Sequence, residues 1–584
     1  MQTVDHICGS DHNPVLAYLN IKLQKMSNNR GTALTSHWNT ELLKTDNTKQ
    51  QFKELTDTKL QNSTDIEELE ELWMNIKSSI LEAAEETYGK LIPTKRRQWM
   101  TTAILHKMEE RRLCKNDTTE MGQRKYRQLR HEVQRLCRRA KTEFINSKCM
   151  EIEKLEATHN PLFYKKVKEM IPKKHTNTQS IKDKYGNLLH DSQDILEKWA
   201  QYVEELYDDN RNSSDNDMIT QERCIISELE VNTVIQKLTR NKATGSDNIP
   251  AEFLQSLGDK GIQVITRLMN LIYNTGVLPD DFLQNIFITI PKVNMAQDCN
   301  DFRTISLISH TSKILLHLIN NRITPIIEQQ LSDAQKGFRK GKGTRDVIFQ
   351  LRTIAERTIQ VNKKVYACFV DYKKAFDSIN HEKLLQIMEK ADIPELERKL
   401  IKALYWNQYA IVKTRNGISR RICIRKGIRQ GCIISPILFN LYTEFMMREL
   451  DDKATGIIIG GQNYNNIRYA DDAVFVCNEE QSLQQVIQKI ADICRSYGME
   501  MNVKKRKTLV ISKSGNTSCN ITVDNTPVEQ VAQYKYLGSL ITEDGKCDMD
   551  IKTRIGMAKD TFLKHKELLK GNISLQTKKL MLNC

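Results

Sequence analysis

Residues 467–477 read IRYADDAVFVC: two adjacent aspartates, Asp471 and Asp472, set between short apolar runs. The runs Ile467–Ala470 and Ala473–Cys477 are rich in β-branched and aromatic residues, which predicts two buried strands joined by a tight turn. Two carboxylates at the tip of such a hairpin repel each other and lose solvation. A bound cation would offset both costs. Upstream, the apolar run VYACFV (365–370) ends in Asp371, where a strand should emerge from its sheet. An acid there is a good ligand and a poor core residue. Asp371, Asp471 and Asp472 are therefore expected to converge at one sheet edge. Oxygen ligands of this kind suit Mg²⁺, which keeps waters and binds through one or two carboxylates plus substrate phosphates. Two such ions about 4 Å apart activate an attacking oxygen and stabilise a leaving one in phosphoryl transfer.

The rest of the chain frames that site. With 584 residues, 39% hydrophobic and 28% charged, it has globular composition and room for several domains. The net charge of +15 points to a polyanionic partner, nucleic acid before membrane. No apolar run is long enough for a membrane span, and the N-terminal residues MQTVDHICGSDHNP lack a signal-peptide pattern. Fourteen cysteines are scattered without a CxxC pair, and Cys368, Cys432 and Cys477 sit in apolar runs. They read as buried free thiols, with neither a zinc site nor a disulfide framework.

From about 30 to 210 the pattern is helical. Ile66, Leu69, Trp73, Ile76 and Ile80 recur at three- and four-residue steps, as do Tyr126, Leu129, Val133, Leu136, Ala140 and Phe144. The outer face of the second helix carries Arg124, Lys125, Arg127, Arg130, Arg135, Arg138, Arg139 and Lys141. It reads either as a solvated face or as a phosphate-contacting one. A polar stretch, DDNRNSSDND (208–217), reads as a linker. Beyond it, strand-like runs (FITIPK, YACFVDY, AIVKT, IRYADDAVFVC, TLVIS) alternate with helical patterns at 262–275, 312–329, 379–392 and 482–497. This mixed α/β region should hold the chemistry.

At this level of detail the chain resembles the reverse transcriptases of non-LTR (LINE-type) retrotransposons. YADD is similar to that family's metal-binding hairpin, and FVDYKKAFD to its other aspartate motif. IRQGCIISPILFNLY (428–442) resembles the Gln-Gly motif and following helix. IPKVNMAQDCNDFRTISL (290–307) and LSDAQKGFRKGKGTRDVI (331–348) resemble the fingers segments, and NKATGSDNIPAEF (241–253) the element before them. YGMEMNVKKRK (497–507) and YKYLGSLI (534–541) resemble the last palm motif and the primer grip. The matches fall in family order over about 241–545.

The resemblance implies an α/β (α+β) right-hand polymerase fold with fingers, palm and partial thumb, preceded by a mostly helical region. It implies a division into 1–24, a remnant of an endonuclease/exonuclease/phosphatase-like domain; 25–225, a helical basic linker region; 226–545, fingers and palm; and 546–584, the start of the thumb. Asp371, Asp471 and Asp472 would be catalytic metal ligands for two Mg²⁺ ions, with Mn²⁺ as a substitute. Lys505 would protonate the leaving pyrophosphate. Lys292, Arg303, Phe376, Gln430 and Gly431 would bind the nucleotide, Phe376 as a flat ring that clashes with a 2′-hydroxyl. Tyr536, Leu537 and Gly538 would form the primer grip. Three departures stand out: Thr304 where proline is usual, Arg506 for an expected threonine, and ATGSDN as a looser form of its motif.

GSDHNPVLAYLNIKL is similar to the last motif of the apurinic-endonuclease-like domain found upstream of such polymerases. Asp11 and His12 match it and its other acids do not appear, so no nuclease activity is expected. The implied function is RNA-directed DNA polymerisation onto a primer 3′-hydroxyl. The partners are an RNA template, a DNA primer or target, and dNTPs. Family analogy sets the place of action in the cytoplasm, the nucleus or both. The alternative is a catalytically inactive nucleic-acid-binding remnant of a degenerate element. An RNA-templated RNA polymerase shares the carboxylates but is disfavoured by Phe376.

Overall fold

The computed structural model describes residues 37–38, 45–91, 99–116, 119–157, 163, 166–167, 180–209 and 225–582. The last span is interrupted at 294, 415–416, 451–455, 516, 565–568 and 571–572, and the backbone of 2–3 and 15–16 is also described. Asp11 and His12 lie outside the described residues, as does most of the polar stretch after 209.

Four antiparallel strands form the palm sheet, in the order Asn466–Tyr469, Asp472–Cys477, Val365–Asp371, Lys507–Ile511. Its apolar runs barely alternate because both faces are covered. Cys368, Val370, Ala473, Phe475 and Cys477 face the main core, which includes the helices Ser435–Arg448 and Glu480–Ser496. Ala367, Phe369, Val474, Val476 and Leu509 face a second core beneath the helix Thr344–Gln360 and the hairpin Gln533–Thr542. Successive residues point to opposite faces of a strand, so a sheet buried on both sides needs a continuous apolar run, and this one has it.

The fingers sheet is mixed. Gln284–Pro291 runs antiparallel to Phe302–Leu307 and parallel to Tyr409–Thr414, onto which Gly417–Ile418 and Ile422–Cys423 pair. The helix Ser192–Tyr207 covers it: Trp199, Val203 and Tyr207 pack with Phe287, Phe302, Val412 and Ile422.

The expected helices are present, as Asp259–Thr275, His310–Gln330, His381–Lys390 and Glu480–Ser496. The upstream stretch is helical over Asp46–Lys59, Leu69–Thr87, Thr102–Leu113, Glu120–Ala157 and Ser192–Tyr207. It also contains two short strand pairs that helical periodicity does not reveal, His37–Trp38 with Lys90–Leu91 and Ile181–Lys182 with Leu188–Leu189. The second is turned by Asp183, whose Oδ1 accepts from Tyr185 N (2.8 Å) and Asn187 N (2.9 Å).

The compositional change near 225 is not a packing boundary. Phe52, Trp73, Ile76 and Ile80 share one core with Phe253, Ile265, Leu268 and Phe282. Trp73 Nε1 donates to Asp281 Oδ2 (2.9 Å), and Lys77 pairs with the same oxygen at 2.7 Å. No helix among the described residues is long and apolar enough to cross a membrane.

Candidate active site

The hairpin forms with a small shift from the expected tip. Tyr469 pairs directly with Asp472, so the two-residue turn is Ala470–Asp471 and Asp472 already belongs to the strand. Ala470 takes a left-handed φ of 58°, a conformation that costs a non-glycine residue energy unless its surroundings impose it. Gln335 imposes it. This side chain is fully buried, and its Oε1 accepts from Ala470 N (3.0 Å) and Gly337 N (2.8 Å). Gly337 is needed for the fit, since a Cβ there would sit 2.2 Å from Ala470 N. Arg468, two residues before the turn, is anchored by a buried pair with Glu444 at 2.9 Å.

Strand register then assembles the acids. Asp472 lies directly opposite Asp371 across the palm sheet, which puts both side chains on one face, while Asp471 stands at the adjoining tip. Burial is the main reason the Asp472 carboxyl is pushed up to about 6, with the charges of Asp471 and Asp371 adding to it. Asp471 is raised by the same two kinds of cause, burial first and then Asp371, and is eased by Lys505 and Arg303. The edge is thus short of positive charge.

Among the described residues no group of three His, Cys, Asp or Glu side chains forms a ready-made metal cage. Asp371 Oδ2 is engaged by Lys505 Nζ at 3.0 Å and Asn502 Nδ2 at 3.2 Å. Mg²⁺ sites completed by water and substrate phosphates need no closed protein cage, and the acidic, oxygen-only set fits such an ion.

The other predicted residues surround this edge. Arg303 is exposed on Phe302–Leu307, beside Ile290 of the neighbouring strand. Lys292 donates to Asn300 O (2.8 Å), and its amine is lowered by burial and then by Arg303. The Phe376 ring, half-buried, stacks on Phe439 at 4.6 Å, with Phe338 edge-on at 6.1 Å. Gly431 has φ 100°, and a Cβ there would lie 3.3 Å from Ser306 O; Gln430 O accepts from Ser306 N at 3.0 Å. Glycine is the residue that tolerates both conditions. Leu537 and Gly538, at φ 47° and 84°, make the tight turn of a hairpin whose Tyr536 hydroxyl reaches Asp472 O at 3.4 Å. Tyr534 of that hairpin stacks on Phe369 at 4.2 Å. Thr304 and Arg506, two of the three departures, are both buried, and neither displaces a carboxylate. Cys368, Cys432 and Cys477 are free and buried, as expected.

Sequence reasoning missed Gln335, Asn502, Asp377 and Tyr207. Gln335, Asn502 and Asp377 lie within recognisable motifs, but only the tertiary fold shows what they touch. Tyr207 looks like any apolar-face residue of an amphipathic helix.

An antiparallel palm sheet carrying paired carboxylates at its edge, with cations on the neighbouring fingers sheet, is the arrangement of the right-hand polymerase fold. Residues 290–541 match the family model described as "Reverse transcriptase (RNA-dependent DNA polymerase)". Proteins similar to this chain are named as retrotransposon polyproteins and RNA-directed DNA polymerases of non-LTR elements. The "Retrovirus-related Pol polyprotein from type-1 retrotransposable element R2" of Nasonia vitripennis is 28% identical over 55% of this chain and 31% of its own length. The "Probable RNA-directed DNA polymerase from transposon BS" of Drosophila melanogaster is 24% identical over 53% of this chain and 35% of its own. The chain thus spans about a third of these relatives. A solved structure of telomerase from Candida tropicalis, in complex with a TWJ fragment of telomeric RNA, aligns over 53% of each chain at 16% identity and a TM-score of 0.34.

Proposed function

We propose that this chain is an RNA-directed DNA polymerase that extends a primer 3′-hydroxyl on an RNA template by nucleotidyl transfer from dNTPs. The observation that carries the reading is the register of Asp472 opposite Asp371, with Asp471 at the adjoining turn and Lys505 beside them. Reverse transcriptases are metal-dependent enzymes, and here Asp371, Asp471 and Asp472 would hold the ions, Mg²⁺ by the hardness of their oxygens. When bound, two such ions activate the primer hydroxyl and stabilise the leaving oxygen.

The chain's own residues do the rest. Arg303 and Lys292 bind the triphosphate, the guanidinium as a planar fork and the ammonium as a point charge. Phe376, held by Phe439, forms the floor under the sugar and excludes a 2′-hydroxyl. Lys505, within 3.0 Å of Asp371 in this structure, releases that carboxylate as the substrate arrives and gives its proton to the departing pyrophosphate. The Tyr536–Gly538 turn holds the primer end near Asp472. Nucleic-acid partners are supported by the +15 charge and the exposed basic face of Glu120–Ala157. In this reading 226–545 supplies fingers and palm and 546–584 belongs to the thumb, while helices of the basic region 25–225 pack into the same core.

The test is extension of a DNA primer on RNA by the purified chain. Extension with Mg²⁺ and dNTPs, abolished by EDTA and weak with ribonucleotides, is the expected result. Ribonucleotide preference would shift the assignment to an RNA polymerase. Tight template binding without extension would favour an inert binding protein, a reading that draws on the Lys505–Asp371 pair already occupying a ligand oxygen.

A further inference from the structure

Asp377 is a buried carboxyl with no ion pair within salt-bridge distance among the described residues, and the polymerase reaction above does not use it. Its Oδ1 accepts two hydrogen bonds, from the Tyr207 hydroxyl at 2.7 Å and from Gln430 Nε2 at 3.0 Å. Tyr207 ends the helix Ser192–Tyr207 and lies 83 residues before the start of the matched domain (290 − 207). Gln430 belongs to the turn that faces the nucleotide in the proposed reaction.

We propose that Asp377 is a positioning residue for the Gln430 side chain, and that Tyr207 holds Asp377 in that role. This role rests on the polymerase reading and adds to it a site component from outside the reverse transcriptase domain.

Three observations support it. First, the two loops are locked together at the backbone. Ile428 N donates to Phe376 O (2.8 Å), Gly427 N to Ile379 O (2.7 Å), and a Cβ at Gly427 would lie 2.8 Å from Asp377 O. The backbone of Gln430 is pinned by Ser306 in the same way, so the remaining freedom of this residue is in its side chain. Second, the Asp377 carboxyl oxygen takes the amide nitrogen of Gln430, which selects one of two amide orientations and leaves the carbonyl oxygen for the groove. Third, the Tyr207 hydroxyl cannot easily turn elsewhere. Its ring is buried against Phe287 at 5.8 Å between centroids, and Arg425 N binds its backbone carbonyl at 3.1 Å. Thr304, the departure from the family's usual proline, places its hydroxyl beside that of Tyr207.

The experiment uses the full chain on a dideoxy-terminated primer annealed to RNA and reads the dNTP Kd, so chemistry is not required; melting temperature and ordinary extension are measured alongside. Loss of one buried hydrogen bond predicts that Tyr207→Phe weakens dNTP binding about 3- to 10-fold. Asp377→Leu should weaken it about 10-fold or more, while Asp377→Asn, which keeps an acceptor oxygen, stays within about 3-fold. In a Gln430→Ala background Tyr207→Phe should have no further effect on Kd, since the side chain it orients is gone. The proposal is overturned if Tyr207→Phe leaves Kd unchanged, or if its effect persists undiminished in Gln430→Ala. A wild-type chain that binds no dNTP overturns both this inference and the polymerase reading. One that binds dNTP but does not extend primers overturns only the polymerase reading, and the Kd comparison still decides the role of Asp377.

Discussion

The palm edge and the Gln430 turn are both parts of one candidate site, built in opposite ways. At the palm edge, strand pairing does the assembly: the ladder between Asp472–Cys477 and Val365–Asp371 fixes Asp472 against Asp371. At the Gln430 turn, three distant segments meet through loop hydrogen bonds with no strand ladder between them, the side chains of Tyr207 and Gln430 converging on Asp377. The first kind of site is robust, because slipping the register by one residue would turn every apolar side chain of a doubly buried sheet onto the wrong face. The second depends on a few hydrogen bonds and on the docking of an upstream helix. Changes near the palm edge should therefore act on rate through geometry, and changes near the turn on nucleotide affinity.

The strongest challenge to this contrast lies at Gln335, where the palm edge itself depends on a side chain. Gln335→Leu orphans the buried N–H groups of Ala470 and Gly337 at about 1–3 kcal/mol each. Extension should fall on the order of 10²-fold with little change in dNTP affinity, and the melting temperature should drop. A loss confined to affinity would mean that the turn does not need this clamp. Next in size is Phe376→Val. Opening the space over Phe439 should narrow the preference for dNTPs over ribonucleotides about 10- to 100-fold, in line with about 1–3 kcal/mol for a small steric change in a pocket. Discrimination measured as the ratio of kcat/KM values checks this.

A stability measurement probes the loop 241–253, which packs on the start of His310–Gln330. Asp247 is fully buried there, receiving Ile249 N at 3.2 Å and Thr311 Oγ1 at 3.3 Å, and burial pushes its carboxyl up to about 7. Below about pH 4 the group is protonated whether the chain is folded or not. Between about pH 4 and 7 the folded state retains a proton that the unfolded chain has released, so stability falls as pH rises, by up to about 4 kcal/mol in all. His310, lowered to about 4 chiefly by burial, has the opposite slope between about pH 4 and 6.5. The difference between wild type and Asp247→Asn isolates the carboxyl: the variant should gain on wild type as pH rises from 4 to 8, as read by melting temperature. A constant difference across that range would place the ionisation elsewhere.

The smallest effect is expected at the long basic helix. Changing the exposed Arg127, Arg130, Arg135 and Arg138 to Gln should lower the salt slope of RNA binding by about 0.7 for each phosphate these arginines neutralise. Extension at low salt should scarcely change. An unaltered slope would leave this face as solvated surface.

The same contrast explains what was legible in the sequence. Apolar runs bounded by acids announced the palm strands and three carboxylates, because strand pairing is a local, repetitive code. Even so, the tip was displaced by one residue, since nothing in the sequence announces that Ala470 takes a left-handed conformation to suit Gln335. The Asp377 network could not be seen, because its members lie 170 and 53 residues apart in the chain and none is unusual for its element. The composition change near 225 marked a boundary that packing ignores, as Trp73 shows by binding Asp281.

Whether the edge formed by Asp371, Asp471 and Asp472 performs nucleotidyl transfer on an RNA-templated primer is decided by single-turnover extension. Wild type and Asp471→Ala are compared at saturating Mg²⁺, with template affinity measured in parallel. Removing a metal ligand forfeits several kcal/mol of transition-state stabilisation, so the rate should fall about 10³-fold or more with template affinity unchanged. Extension by Asp471→Ala at a rate near that of wild type would remove these carboxylates from the chemistry.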